Sequence, residues 1–359
     1  MFNFILKRIG YGLLVLIGVI TLVFFLFNIL PGDSARMMLG QRSDEQSVEI
    51  IRKDLGLDKP LWQQYLLYLN DLSPLSIHKK NPQSIVYLDN DKYSYTQLLN
   101  NNTTTLVIKK PYLRRSYQSK RQVADILSEA FPNTLILAIA SMSFALVIGV
   151  ILGAFSAIFN NTLFDKLNLL LITIGMSLPS FFAAIVFAWI FAYLLAPYTG
   201  LSMFGSLYGV DSLGRGEFID LKNLILPAFT LGIRPLAVIS ELTKSSMLEV
   251  LSQDYIRTAK AKGLTQFQIL RHHVLKNSLN PVITSVSGWF ASLMAGAVFV
   301  EYIFDWKGVG VVIVDGLEKY DFPVVMGALL VICVLLVILN IVVDILYGVI
   351  DPRVRVVKG

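Results

Sequence analysis

Residues Met247–Asn280, MLEVLSQDYIRTAKAKGLTQFQILRHHVLKNSLN, are polar and basic and lie between two apolar runs. Their spacing predicts two short helices joined at an elbow. The first covers Leu251–Lys262. Gly263 stands where a helix C′ residue belongs, and Lys260 and Lys262 occupy the last turn, at the negative end of the helix dipole. The second helix restarts at once. Thr265 is an N-cap residue and Gln268 completes a capping box three positions on. Leu264 and Ile269 hold the N′ and N4 positions of a hydrophobic staple. This helix runs on to Pro281 and into an apolar segment. Leu251, Tyr255 and Ala259 are four apart and share one face of the first helix, where Ala259 is small enough for a partner to approach closely.

The apolar runs on either side set the class. Of 359 residues, 55% are apolar and 16% charged, and the mean hydropathy is +0.62. A soluble domain carries about 25% charged residues. The chain therefore reads as an integral membrane protein. Its net charge of +6 does not point to nucleic acid, because basic residues gather at the ends of apolar runs, where they orient spans. The one cysteine, Cys333, lies inside an apolar run, so neither an intrachain disulfide nor a cysteine metal cluster is available, and no metal site is expected. There is no GxxxxGK[ST] phosphate loop for ATP.

Six spans are expected. Ile9–Leu30 is uncharged and meets the length of roughly 20 apolar residues that a crossing needs. Lys7 and Arg8 before it place the N-terminus in the cytoplasm. A signal peptide would have a shorter apolar core and an Ala-x-Ala-like site; here Pro31-Gly32-Asp33 follows. The other spans are Thr134–Phe159, Leu167–Ala196, Asn223–Leu242, Pro281–Val300 and Phe322–Val343. Asp165 and Lys166 mark a short cytoplasmic loop, while Tyr198–Leu221 and the acidic stretch Glu301–Asp321 are external loops. An even number of spans and the basic tail Arg353, Arg355 and Lys358 put both termini in the cytoplasm.

Pro31–Ala130 is polar and external. Ser43–Leu69 reads as helical. Within Leu75–Lys110 the runs SIVYLD, YSYTQLL and TTLVIKK are rich in β-branched and aromatic residues and are parted by Asn/Asp turns, which predicts an added β-rich element. The organisation is then a membrane anchor over 1–30, an external segment over 31–130 with its β-rich element at 75–110, a transmembrane core over 131–349 containing the elbow 247–280, and a tail over 350–359. The fold class is an all-α polytopic membrane protein with a small external α/β insertion.

Some residues inside the spans carry possible chemistry. Pro179 removes a helix hydrogen bond in the third span, which suits either a pore-lining bend or simple packing. Arg234 is a charge near the middle of an apolar run, and Glu241 lies two turns further on the same face. A charge at that depth costs about 2.5–3.5 kcal/mol, so it should face a wet path or a partner. Thr284, Gly288, Ser292 and Gly296 recur every four residues, giving one face that a second subunit, a mobile pore wall or a neighbouring span of the same chain can pack against.

Three stretches carry a family resemblance. Arg257-Thr258-Ala259, three further residues and Gly263 resemble the Glu-Ala-Ala-x-x-x-Gly coupling loop of ABC importer permeases, within the longer match SMLEVLSQDYIRTAKAKGL. LGLDKPLWQQYLLYL is similar to the stretch after the first span in the dipeptide/oligopeptide/nickel branch. Asn340, Asp344, Tyr347 and Asp351-Pro-Arg resemble the family's C-terminal signature. Arg257 and Thr258 replace the motif's Glu and first Ala, and His273-Val274-Leu275-Lys276 replaces its Ile-x-Leu-Pro tail. Leu75–Lys110 lies outside the resemblance.

The resemblance implies a type I ABC importer permease fold in a bacterial inner membrane. It implies the pore-forming subunit of an importer of di- or oligopeptides, not an enzyme. The partners implied are a second homologous permease, two ATP-binding-cassette ATPase subunits that hold the ATP and Mg, an external substrate-binding protein and the lipid bilayer. It also implies ATPase coupling by Leu251, Tyr255, Arg257, Thr258, Ala259 and Gly263; an ordinary basic loop is the plain alternative. The rival function is an ion-coupled secondary transporter, which would show midplane carboxylates or broken helices and internal repeats. No Asp or Glu lies mid-span here. A membrane-anchored receptor or enzyme working through Pro31–Ala130 would need clustered His, Cys or paired carboxylates, which that segment lacks.

Overall fold

A computed structural model describes residues 2–29, 45, 48, 49, 52, 58–81, 84, 86–89, 92–210 and 216–350. Four helices among them are long and apolar enough to cross a membrane. They are α1 (Phe2–Ile29, apolar over Leu6–Asn28), α3 (Val123–Ile158), α6 (Lys222–Leu251) and α11 (Phe322–Ile350, apolar over Phe322–Val343). The count rises to five if the bent pair α4 (Leu163–Ser177) and α5 (Ser180–Phe187, prolonged by a π-helical stretch Ala188–Leu194) is one span. The expected fifth span lies inside the 29-residue helix α9 (Leu275–Ile303). Most of the expected helix Ser43–Leu69 lies outside the described residues; α2 (Leu61–Leu72) covers its end.

The third span departs from expectation. It is not one kinked helix, because α4 and α5 meet at 113°. Leu178 is extended (ψ 126°) and Pro179 caps α5 with ψ 139°. A residue before proline is pushed out of the α region, so the helix stops rather than bends.

The chain forms two compact units: 130–311 with the chain ends 1–5 and 338–359, and 6–129 with 312–337. In the first, α6 is the central helix, packed by α4, α5 and α9. Lipid gives helices no hydrophobic reason to associate, so close backbone packing and polar contacts must hold them. Both are present. A Cβ on Gly153 of α3 would run into the Ser240 carbonyl of α6, and one on Gly232 of α6 would stand 2.8 Å from the Ser141 carbonyl of α3. A buried polar joint lies beside this contact. Asn168 of α4 donates to Ser156 Oγ (2.7 Å) and Ser240 Oγ (3.2 Å), and Lys244 Nζ meets Asp165 Oδ1 at 2.6 Å.

Glu301–Asp321 is not an open acidic loop. Glu301 still belongs to α9, is fully buried, and accepts from the Gly310 N–H at 2.6 Å. Gly310 lies in the first turn of α10 (Val309–Glu318), so the carboxylate sits at a helix N-terminus, which favours negative charge. Trp306, also fully buried, donates from Nε1 to the Asn133 carbonyl (2.9 Å). Asn133 Nδ2 donates to the Lys307 carbonyl (2.8 Å), and Val309 N–H donates to Thr134 Oγ1 (2.8 Å). This turn is clamped onto α3.

In the second unit α1 packs on α2 and α11 through Val23, Phe24, Tyr68, Met326 and Leu330. Three antiparallel strands follow α2: β1 (Leu75–Lys79), β2 (Tyr95–Asn100) and β3 (Thr104–Lys109), in the order β1-β3-β2. The first strand is not SIVYLD; of that run, Tyr87 makes only an isolated bridge to Lys79. Asp71 ties α2 to the sheet. Its carboxylate accepts from Tyr93 Oη (2.6 Å), Lys92 Nζ (3.2 Å) and Arg114 Nε (3.4 Å), and its carbonyl accepts from Lys109 Nζ (3.2 Å). Burial pushes the Lys109 ammonium down to about 8, against the pull of the Asp71 carboxylate.

The Asp165–Lys244 pair gives a test of how the first unit is held. Removing one partner of a buried pair strands a charge and costs about 3–5 kcal/mol, whereas removing both is close to neutral. Lys244→Met is therefore expected to lower the thermal midpoint of the purified protein far more than Asp165→Asn/Lys244→Met. Equal midpoints for single and double variants would show that the pair does not hold α4 to α6.

Candidate functional site

The elbow is built from the end of α6, α7 (Asp254–Ala261), α8 (Gln266–Ile269), a π-helical turn Leu270–Val274 and the start of α9. Its first helix starts three residues later than the sequence suggests. Leu251 closes α6, and the N–H groups of Ser252 and Gln253 bond back to Glu249 and Val250 carbonyls (3.2 and 3.1 Å). Gln253 is extended (ψ 147°) and caps α7. Leu251 is thus on another helix from Tyr255 and Ala259.

The bend satisfies its own backbone. Gly263 is left-handed (φ 81°). Its N–H donates to the Lys260 carbonyl (3.0 Å), and the Leu264 N–H donates to the Ala259 carbonyl (3.3 Å). These are the two bonds of a Schellman motif, and Leu264 supplies its apolar contact by packing on the cluster that holds Ala259. One residue further on, Thr265 Oγ1 accepts from the Gln268 N–H (3.4 Å), and Gln268 Oε1 accepts from the Thr265 N–H (3.0 Å). The capping box is complete. Leu264 and Ile269 share the cluster, as a staple requires.

The elbow is also seated. Ile256, Ala259, Ile269 and Val274 are buried against Ala157 of α3 and Met247 of α6. This overturns the reading of Ala259 as room for a partner, since its small side chain is filled by the chain's own residues. The buried face of α7 is Ile256 and Ala259, three apart, rather than the four-residue stripe. Tyr255 stays exposed and its hydroxyl accepts from Asn277 Nδ2 (3.3 Å), linking α7 to α9. Arg257 and Thr258 are exposed. Arg257 stands 3.9 Å from Asp254, a surface pair of little worth.

One exposed residue was missed. Phe267, in the first turn of α8, is 70% exposed at the tip of the elbow. A free aromatic on a rigid support is the usual anchor of a protein interface. The signal was present in the sequence: Phe267 is apolar but out of phase with Leu264 and Ile269.

The expected membrane residues do not form one site with the elbow. Arg234 is exposed on α6 and makes no ion pair among the described residues; Glu241 is also exposed. Seven residues separate them, about 10 Å along a helix, too far for a direct pair. Pro179 heads α5, which packs on α6 and α9. Gly288 and Ser292, with Ser285 and Trp289, line an open groove of about 350 Å³. Nothing lies within 4 Å of where a Gly288 Cβ would stand, so that part of the small-residue face does not pack on a span of this chain. The side chain of Thr284 and the surroundings of Gly296 lie outside the described residues.

Comparisons with known proteins agree over nearly the whole length. The profile of the family "Binding-protein-dependent transport system inner membrane component" matches residues 149–356, and that of "Binding-prot-dependent transport system membrane comp, N-term" matches residues 1–81. The chain is 34% identical over 377 residues to the dipeptide transport system permease protein DppB of Escherichia coli (strain K12), with 99% of both chains covered. It is 34% identical to the di/tripeptide transport system permease protein DppB of Pseudomonas aeruginosa (strain UCBPP-PA14) over 373 residues, again 99% of each. It is 31% identical to the glutathione transport system permease protein GsiC of Escherichia coli (strain K12) over 356 residues, 99% of each. A solved structure of the MetNI methionine ABC transporter in inward-facing conformations has the same fold over 64% of this chain and 97% of that one, at a TM-score of 0.50 and 16% identity.

Gly263 is open to a direct test. A side chain there meets no atom within 4 Å, so its cost is backbone strain alone, about 1–2 kcal/mol for an ordinary L-residue. Gly263→Val is expected to speed tryptic cleavage at Lys260 and Lys262 in the folded protein roughly tenfold, since 1.4 kcal/mol is one decade in population. Asparagine tolerates the left-handed region, so Gly263→Asn is expected to stay near wild type. Equal cleavage rates for Val, Asn and Gly would mean that this residue does not hold the bend.

Proposed function

The chain belongs to the family of binding-protein-dependent transport system inner membrane components, and on that footing we propose that it is the pore-forming permease subunit of an ATP-driven importer of di- and oligopeptides. The observation that carries this reading is the 34% identity to a dipeptide permease across 99% of both chains. The glutathione relative keeps the substrate class peptide-like. The subunit itself is a channel wall with no chemistry of its own; ATP and Mg belong to partner subunits.

The assembly proposed has a second homologous permease, two ATPase subunits and an external substrate-binding protein. The chain crosses the bacterial inner membrane six times with both termini in the cytoplasm. The elbow is the ATPase-coupling element. It is stiff because its caps are complete, and it is seated on α3 and α6, so a push on its exposed face reaches the spans. Tyr255, Arg257, Thr258 and Phe267 form the contact face; Gly263 and Ala259 serve by shaping it. Gly288 and Ser292 face away from the chain's own helices, which suits a seam with the second permease or the pore wall. Arg234 lines the translocation path.

The rival reading, an ion-coupled secondary transporter, gains one feature from the break at Pro179, since broken helices are common in that class. It explains neither the capped elbow nor the relatives. Co-expression with the cognate ATPase subunits separates the two: co-purification in detergent is expected, and its absence for a correctly inserted chain would sink the importer reading.

Two substitutions refine it. Phe267→Ala is expected to weaken ATPase attachment by about 2 kcal/mol, roughly thirtyfold in affinity, as loss of a buried aromatic anchor does. Arg257→Ala should change it little. In proteoliposomes, a cysteine at position 234 is expected to react with water-soluble thiol reagents in at least one nucleotide state. Full protection of Arg234→Cys in every state would remove it from the path.

A further inference from the structure

The external sheet exposes its more apolar face. Its inner face buries Ser76, His78, Thr105 and Lys109 around Val107, while Leu75, Ile77, Leu99 and Ile108 are exposed, Ile77 at 61% and Leu99 at 69%. The register makes the exposed set a continuous stripe. Leu75 pairs with Ile108 and Ile77 with Leu106 across β1 and β3, and Leu99 of β2 faces Leu106. Side chains alternate along a strand, so Lys79 and Lys110 continue the same face at its two ends. Both lysines are exposed. Buried polar groups and an exposed apolar patch of this kind mark a surface that meets something other than water.

The height of the sheet is fixed by α2. Tyr65 Oη lies 2.7 Å from Thr21 Oγ1 of α1, and the Tyr65 and Tyr68 rings pack on Phe24. The apolar part of α1 ends at Asn28. Thr21 is therefore about 10 Å below the outer end of the span, and Phe24 about 6 Å. Helix α2 thus sits in the outer boundary of the bilayer, and its exposed Leu61, Trp62 and Leu66 suit that zone. Leu75 follows the end of α2 by three residues, which puts the start of the sheet at the level of the lipid headgroups.

Charge identifies the lipid. Between residues 75 and 121 there are nine Lys and Arg against two Asp; Lys92, Lys109 and Arg114 are held by Asp71 and Arg121 by Glu129, which leaves Lys79, Lys80, Lys110, Arg115 and Lys120 exposed. Interfaces with proteins are depleted in lysine, whereas surfaces that lie on membranes combine lysine with Trp and Leu.

We propose that the outer face of the β1-β3-β2 sheet docks on the outer leaflet, with its apolar stripe in the acyl boundary and Lys79 and Lys110 on anionic phospholipid headgroups. The proposal rests on the orientation given above, with the N-terminus in the cytoplasm.

The test uses the assembled transporter in nanodiscs of phosphatidylcholine, with or without phosphatidylglycerol. In a Cys333→Ser background, Ile77→Cys or Leu99→Cys carries a fluorophore, and lipids spin-labelled near the headgroup serve as quenchers. Quenching of both positions by roughly half is expected, stronger with phosphatidylglycerol. Lys79→Glu/Lys110→Glu should abolish the phosphatidylglycerol dependence without unfolding the sheet, since both positions are exposed. Absence of quenching in either lipid overturns the proposal, and so does fluorophore shielding that appears only when the substrate-binding protein is added. Orientation is read separately, from labelling of Asn102→Cys by an impermeant thiol reagent in sealed, oriented vesicles, so that an error there is told apart from an error about lipid contact.

Discussion

The bend at Gly263 must be sharp without being loose, and the rest of the elbow depends on that. A flexible turn would absorb any force applied to it. Here a left-handed residue reverses the chain, the Schellman bonds close α7, and the Thr265–Gln268 box opens α8 with a single residue between them. The donors in the turn are satisfied in sequence, the Gly263 and Leu264 N–H groups by backbone carbonyls and the Thr265 and Gln268 N–H groups by each other's side chains. The hydrophobic staple then fixes the angle at which α8 leaves. Stiffness of this kind needs no large energy in any one bond; it needs every alternative arrangement to lose several at once.

The elbow rests on residues of two long apolar helices, Ala157 of α3 and Met247 of α6. Those helices are held together by means suited to lipid. Glycines let the α3 and α6 backbones touch, and Asn168, Ser156, Ser240, Asp165 and Lys244 join α3, α4 and α6 in a polar cluster near the same end. In water such a cluster would compete with solvent. At a bilayer edge it has fewer competitors, and its members fix register as well as adhesion.

What could be read from the sequence divides along one physical line. Gly263, the Thr265 cap and the staple were legible because their bonds run between residues a few positions apart. The start of α7 was not, because continuing the helix through Ser252 violates no local rule; it is the seating of Ile256 and Ala259 on other spans that sets the break. For the same reason Ala259 looked free when it is buried. Glu301 looked like part of a loop because an acidic residue four positions before Asp305 reads as solvated, yet it caps a helix that begins eight residues later. Strand β1 was misplaced because its apolar residues face outward, so pattern alone could not say which of two neighbouring runs joins the sheet.

Helix α9 connects these local devices along its length. It starts at the π-helical turn that follows the elbow and ends at Ile303, just past Glu301, a rise of about 44 Å. At its C-terminal end Glu301, Trp306 and Asn133 fasten it to α3 and to the head of α10. Its N-terminal end is fastened through Tyr255–Asn277 and the Val274 contacts. A single rod thus has its two ends in two clamps. The irregular points along it are the π turn and Pro281, and both lie at the elbow end. A helix yields where its hydrogen-bond ladder is interrupted. The helix is thus most easily bent between the π turn and Pro281 and is regular from there to Glu301.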